Sequence, residues 1–206
     1  MLSKFLPFKL YKVLKSFQLK INILTKTEIK LIIGSGGTFQ KGWIPSGIET
    51  INVHDDDCWV KYFKPNSINA ILGEHIWEHL TQREAELAAI NCYKYLVPGG
   101  YLRIAVPDGF HPDPKYLEGC GPIGENEIHK VMYNYVTLKK HFEKANFKVT
   151  LLEFYDEEKK FHKTNWDPHK GLIHRSIRFR NKNKNVSCLG LKNYTSLIID
   201  AKKPKN

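Results

Sequence analysis

Four stretches of this chain place chemically competent residues directly after apolar runs, where a fold presents them at a strand end. Gly34-Ser35-Gly36-Gly37 follows Leu31-Ile32-Ile33; glycines there let backbone approach a ligand closely and leave N–H groups aimed at it. The run is neither a full G-x-G-x-x-G nor a phosphate-binding G-x-x-x-x-G-K-[ST]. Asp55-Asp56-Asp57 follows the apolar stretch at 48–53, Glu74-His75 follows Ile68 to Leu72, and Asp108 follows Tyr101 to Val106. A neutral imidazole accepts a proton near pH 7, which makes His75 the first candidate for a general base, with Glu74 beside it. Asp108, His111, His129 and Tyr133 are candidates for contacting a substrate. His75-Ile76-Trp77-Glu78-His79 also matches H-x-x-E-H, in which two histidines at helical spacing hold zinc and the glutamate activates water. Such a site needs a third protein ligand at a suitable place, and no metal is expected.

The elements that must position these residues alternate. A strand at 28–33 ends in the glycines, short strands fit 43–44 and 48–53, and a buried strand runs over 67–72. A helical pattern spans 76–96 until Pro98-Gly99-Gly100 stops it. A strand at 101–106, a long Pro- and Gly-rich loop at 110–124, a helix at 137–145 and strands at 147–155 and 196–201 follow. Residues 161–166 and 172–179 flank Asp167-Pro168-His169-Lys170-Gly171 and read as a β-hairpin inserted at about 158–182. Alternating strands and helices imply crossovers and an α/β, doubly wound, mostly parallel sheet, with ligands bound beyond the carboxyl ends of its strands.

At 206 residues and 42% hydrophobic, the chain fits one domain over residues 28–206. Residues 1–27 form a separate basic amphipathic helix: Leu2, Phe5, Leu6, Leu10, Val13, Leu14 and Phe17 recur at helical spacing, with lysines between them and Pro7 interrupting early. Its apolar stripe is expected to pack on the domain, with peripheral membrane contact through residues 1–20 as the alternative. The net charge of +11 suits an anionic partner, and Arg175, Arg178, Arg180, Lys182 and Lys184 near Trp166 and Phe179 suggest a nucleic-acid grip. Cys58, Cys92, Cys120 and Cys188 form no C-x-x-C pair, so a reduced, cytoplasmic setting is expected. No stretch approaches the roughly 18 apolar residues of a membrane span, and no signal-peptide cleavage pattern is seen.

Taken together, the motifs resemble the class I S-adenosylmethionine-dependent methyltransferases, in particular small, type 11-like ones. L-I-I-G-S-G-G is similar to that family's first strand and glycine turn. A-I-L-G-E-H-I-W-E-H-L is similar to its fourth strand and following helix, and Y-L-V-P-G-G-Y-L-R-I-A-V-P-D to its fifth strand. The end of the chain is similar to its antiparallel last pair of strands. The resemblance covers about residues 30–203 and implies a Rossmann-like sheet with an antiparallel last strand, S-adenosylmethionine as cofactor, and methyl transfer to an unidentified acceptor. It implies that Gly34, Ser35, Gly36 and Gly37 hold the methionine end, that Asp55 or Asp56 approaches the adenine, and that Glu74 and His75 lie nearest the methyl group. Two positions depart from the pattern: Ile32 stands where an acid is common, and Gly47 where the ribose-binding acid falls. Glu49, on the same strand face as residue 47, is the expected substitute. The alternative is a non-catalytic relative acting as a binding module for nucleic acid or an anionic surface.

Overall fold

In the computed structural model, which describes residues 7–122, 128–179 and 195–205, the strands are β1 (Lys30–Ile33), β2 (Ile44–Pro45), β3 (Ile68–Glu74), β4 (Leu96–Val106), β5 (Lys148–Tyr155), β6 (Phe161–Lys163) and β7 (Leu197–Lys202). They form one sheet in the order β2-β1-β3-β4-β7-β5-β6. β2, β1, β3 and β4 pair in parallel, whereas β7 runs antiparallel to both β4 and β5, and β6 antiparallel to β5. β1 and β3 lie in the middle of the parallel half, where both faces are covered, and their near-continuous apolar runs reflect it.

The helices are α1 (Phe8–Leu24), α2 (Asp56–Trp59), α3 (Gln82–Tyr95), α4 (Pro114–Cys120) and α5 (Tyr135–Lys144). The helical pattern expected over 76–96 is broken. Thr81 and Glu84 form a capping box, each side chain bonding the other's backbone N–H, so α3 starts at Gln82 and residues Trp77–His79 make a separate 3₁₀ turn. Ala85, Ala88, Ala89 and Cys92 then put one small, buried stripe on the sheet. Residues 48–53 are not a strand, because Thr50 and Ile51 both donate to the Gly47 carbonyl and turn the chain. The stretch read as a loop at 110–124 contains α4, started by an Asp113 cap and Pro114 in its first turn. The hairpin expected between 161–166 and 172–179 does not form: β6 folds back on β5 instead, and 172–179 carries only a 3₁₀ turn.

α1, α2, α3 and α5 contribute to one core cluster on one sheet face, and α1 buries there only Leu19. The rest of its apolar stripe, Leu10, Val13, Leu14, Phe17, Ile21 and Leu24, is exposed, contrary to the packed arrangement expected from sequence. Ser16, Leu19 and Ile23 take the domain-facing side instead, with Tyr62 donating to Ser16. Among the described residues, the opposite sheet face is covered by coil and short 3₁₀ turns rather than by α-helices, through Trp43, Trp166 and Ile173 against Ile32, Leu72, Ala105 and Ile198. Three charged side chains hold that coil. Arg103 of β4 makes two bonds to Asp200 of β7 (2.7 and 2.8 Å) and donates to the carbonyls of Asp167 and Gly171 (both 2.8 Å). Glu153 of β5 accepts from Trp166, Ser176, Ile177 and Thr195. Glu74 of β3 accepts from the backbone N–H groups of His174 and Arg175 (3.0 and 2.8 Å).

Replacing Arg103 by Met keeps the volume but leaves the Asp200 carboxylate and two carbonyls without their donor. Breaking a buried pair from one side costs about 3–5 kcal/mol, so urea unfolding of Arg103→Met should show a loss of that order. A change below about 1 kcal/mol would mean that the guanidinium does not organise the coil.

Candidate functional site

The carboxyl ends of β1 and β3 open into a cavity whose floor is the glycine turn. Gly34, Gly36 and Gly37 all take left-handed φ values of 55°, 53° and 99°, which side chains disfavour. The turn is locked to the end of β2 by Ser35 N–H to the Ser46 carbonyl and Ser46 N–H to the Ile32 carbonyl, both 2.8 Å. Gly34 has a second reason to lack a side chain, since a Cβ there would lie 2.1 Å from Ile76 Cδ1.

On the α1 side, a hollow of about 520 Å³ lies between Tyr11, Lys15, Gln18 and Asn22 of the helix and Ser35, Gly36, Gly37, Gly47 and Glu49. The Glu49 carboxylate folds over Gly47: a Cβ on residue 47 would meet its Oε2 at 2.3 Å. It therefore fills the space in which a side chain of residue 47 would begin. On the β3 side, a cavity of about 290 Å³ shares Ser35 and Gly36 and is closed by Glu74, His75, His79, His129 and Arg175. A third, mainly apolar hollow is walled by Ile51, Val53, Ile76 and Leu80, with Asn52 and His54 at its edge.

The remaining candidates divide sharply. Gly34, Ser35, Gly36, Gly37, Glu49, Glu74, His75 and His129 line these cavities. Asp55 and Asp56 do not: Asp55 caps α2 through the Asp57 N–H, and Asp56 bonds Lys94 (2.7 and 2.9 Å) and the Tyr95 hydroxyl (2.8 Å). The Lys94 contact overcomes desolvation and holds the Asp56 carboxyl below its usual range. Glu74 reaches the cavity wall, but its carboxylate is engaged by the 174–175 backbone and Arg175 (3.6 Å). His75 has a left-handed φ of 57°, rare away from glycine. Its Nδ1 lies 3.0 Å from Glu78 Oε1 and its Nε2 2.9 Å from the Ser196 hydroxyl, so neither ring nitrogen stands ready for a substrate proton.

Asp108, His111 and Tyr133 lie in the interior rather than in the cavity. His111 stacks on Tyr116 at 3.9 Å, and burial pushes the Tyr133 hydroxyl up to about 12. Asp108 ties the end of β4 to β5, accepting from Phe110 (2.9 Å) and Tyr155 (2.8 Å). Sequence reasoning missed the polar edge of α1, His79 as a cavity residue, and Arg175. The α1 edge had a signal, Tyr11, Gln18 and Asn22 at helical spacing; Arg175 had none, because only the Glu74 clamp brings it in. The basic cluster read as a nucleic-acid grip is absorbed by the fold where it is described. Trp166 is buried with Arg103 and Arg178 over its ring (4.8 and 5.2 Å), and Arg175 pairs with Glu74. Arg180, Lys182, Lys184 and Cys188 fall outside the described residues.

Solved structures share this architecture. A SAM-dependent methyltransferase from Archaeoglobus fulgidus is 17% identical with a TM-score of 0.50, over 96% of this chain and 95% of that one. One from Methanosarcina mazei is 12% identical at 0.52, over 90% and 97%. A protein from Thermotoga maritima described as a possible histamine N-methyltransferase is 12% identical at 0.50, over 95% and 90%. No family model matches the chain, and a search of curated proteins finds no match. Among the described residues, no helix is long and apolar enough to cross a membrane. The structural likeness establishes the fold, that of the class I S-adenosylmethionine-dependent methyltransferases.

Burial raises the Asp108 carboxyl to about 6, against the lowering effect of its two backbone donors. The folded value lies above the ordinary one, so the folded protein binds this proton more tightly. Its contribution, of order 3 kcal/mol, is present in full below about pH 4 and is lost as pH rises through 6. Carbon NMR of the Asp108 carboxyl should show a midpoint near pH 6; one at or below pH 4 would contradict the burial.

Proposed function

We propose that this chain, built on the class I methyltransferase fold, binds S-adenosylmethionine along the glycine turn and transfers its methyl group to an acceptor in the β3-side cavity. The observation that carries this reading is Glu49. Its carboxylate occupies the place left open by Gly47 and faces the same hollow as Gly36 and Gly37, which suits a ribose diol beside a backbone cradle. The apolar hollow at Ile51, Val53, Ile76 and Leu80 suits a flat heterocycle, with Asn52 in the polar position that the Asp55–Asp56 reading assigned elsewhere.

Bound there, the cofactor supplies an electrophilic methyl group, and the protein's main task is to hold an acceptor in line with it. Glycine N–H groups and Glu49 would fix the cofactor's polar parts, and the wall of Glu74, His75, His79, His129 and Arg175 would orient the acceptor. With His75 held between Glu78 and Ser196, it serves this reading as a positioning residue rather than a free base.

The exposed stripe of α1 favours a second element of the same reading, peripheral attachment to an anionic bilayer. Leu10, Val13, Leu14, Phe17, Ile21 and Leu24 face solvent. Lys4, Lys9, Lys12, Lys15, Lys20 and Lys26 accompany them, with no acid before Glu28. An apolar stripe with a cationic surround is the pattern of an interfacial helix, whereas a second copy would bring lysines against lysines.

Calorimetric titration with S-adenosylmethionine and S-adenosylhomocysteine should give saturable micromolar binding that Gly36→Arg abolishes. Glu49→Ala should weaken it about tenfold or more, the worth of one charge-assisted bond. Absence of heat at millimolar ligand would reduce the chain to a non-catalytic scaffold. For α1, the protein should sediment with vesicles containing phosphatidylglycerol and not with pure phosphatidylcholine, and Leu14→Asp with Phe17→Asp should release it. Equal sedimentation of the double variant would rule out attachment through this stripe.

A further inference from the structure

We infer that Glu78, His79 and His129 form a binding site for one divalent transition-metal ion in the wall of the β3-side cavity. Their ligand atoms lie within 4.8 Å of one another, and the two imidazoles meet edge to face with centroids 4.7 Å apart. His79 Nδ1 is 2.8 Å from the Ile128 carbonyl, and His129 Nδ1 is 2.8 Å from the Cys120 carbonyl. A carbonyl oxygen only accepts, so both Nδ1 atoms carry the proton and both Nε2 atoms keep a lone pair. A metal-ligating imidazole is typically held in this way, its far nitrogen donating to a carbonyl that fixes tautomer and ring direction.

The third ligand is a carboxylate that lacks its usual complement of partners. Glu78 is fully buried; Oε1 has His75 at 3.0 Å, and Oε2 receives no hydrogen bond among the described residues. The three ligands are also tied together through the backbone, since the Glu78 carbonyl accepts from Lys130 (2.6 Å) and Val131 (3.3 Å). His129 is thereby brought beside the 3₁₀ turn that carries Glu78 and His79. The H-x-x-E-H spacing alone would have chosen His75 and His79; the left-handed backbone at His75 turns its ring to Ser196, and His129 supplies the second imidazole.

Two nitrogens and one carboxylate oxygen suit zinc, cobalt, iron or manganese, whereas magnesium and calcium prefer all-oxygen sites. Three protein ligands leave coordination positions open, and His79 and His129 both face the cavity. A hydroxyl bound there would lose its proton near neutral pH, the proton passing to water and the O–H electron pair remaining on the metal-bound oxygen. The acceptor class so indicated is a hydroxyl compound, activated without a free histidine base. That assignment rests on the methyl-transfer reading; the metal site does not.

The test uses full-length protein freed of metal by chelator dialysis. Calorimetry with zinc chloride, and visible absorption with cobalt chloride, should each show one ion per chain at micromolar or tighter affinity, not displaced by millimolar magnesium. His79→Ala and His129→Ala, whose folding is checked by circular dichroism, should each weaken binding by more than the roughly 10–100-fold that outer-shell partners contribute. No saturable zinc binding, or unchanged binding by the double variant, would overturn the site. The same metal-free protein titrated with S-adenosylhomocysteine separates the two proposals. Cofactor binding without zinc binding overturns the metal site alone, and zinc binding without cofactor binding supports the site while overturning the reading of the cavity.

Discussion

Arg103 carries a full charge in the middle of β4, and a buried guanidinium must find its acceptors inside the fold. It finds them on two sides: the Asp200 carboxylate across the β4–β7 ladder, and the carbonyls of Asp167 and Gly171 above the sheet. One side chain thus joins the antiparallel strand to the coil that covers the second sheet face. Glu74 repeats the device from the neighbouring β3, and Glu153 from β5 on the far side of β7. In an α/β sheet that face is ordinarily closed by helices, which satisfy their own backbone. Coil cannot do so, and charged side chains rising from the strands take over the task. The clamp at Glu74 then brings Arg175 to the cavity, so the composition of the site follows from how the coil is held.

Local signals conveyed the parallel half of the sheet well. Leu31-Ile32-Ile33 before glycines and the run at 68–72 become β1 and β3, whereas the helix ends already at Tyr95 and Pro98-Gly99-Gly100 lies within β4, beside the shift in its register with β3. The errors arose where two readings competed. Residues 76–96 carry helical periodicity throughout, but the Thr81–Glu84 box starts a helix inside that pattern. Ile48, Ile51 and Val53 suit a strand, yet Gly47 offers its carbonyl to two N–H groups and the chain turns. The segment at 172–179 alternates well enough for a hairpin, but its partner strand was already claimed by β5.

The site was legible to the extent that it is made of strand ends. Gly34 to Gly37, Glu74 and His75 all lie where the topology implied. What spacing could not reveal was occupation: whether a carboxylate at the right place is free. Asp55 and Asp56 are taken by a cap and by Lys94, Asp108 by β5, and Glu74 by the covering coil. His129 was singled out as a substrate contact, yet its tie to Glu78 runs through backbone bonds far apart in sequence, for which one sequence contains no signal.

α1 forms one wall of the hollow beside Glu49 and yet, among the described residues, buries a single leucine, with Ile23 packed on the core and Ser16 bonded to Tyr62. Burying one leucine is worth roughly 1.5–3 kcal/mol, far less than the sheet's interlocked core. The wall of that hollow is therefore held by far less buried apolar surface than its floor, the glycine turn bonded between β1 and β2. The two sides of one hollow thus rest on unequal foundations, one on a single leucine and the other on the middle of the sheet.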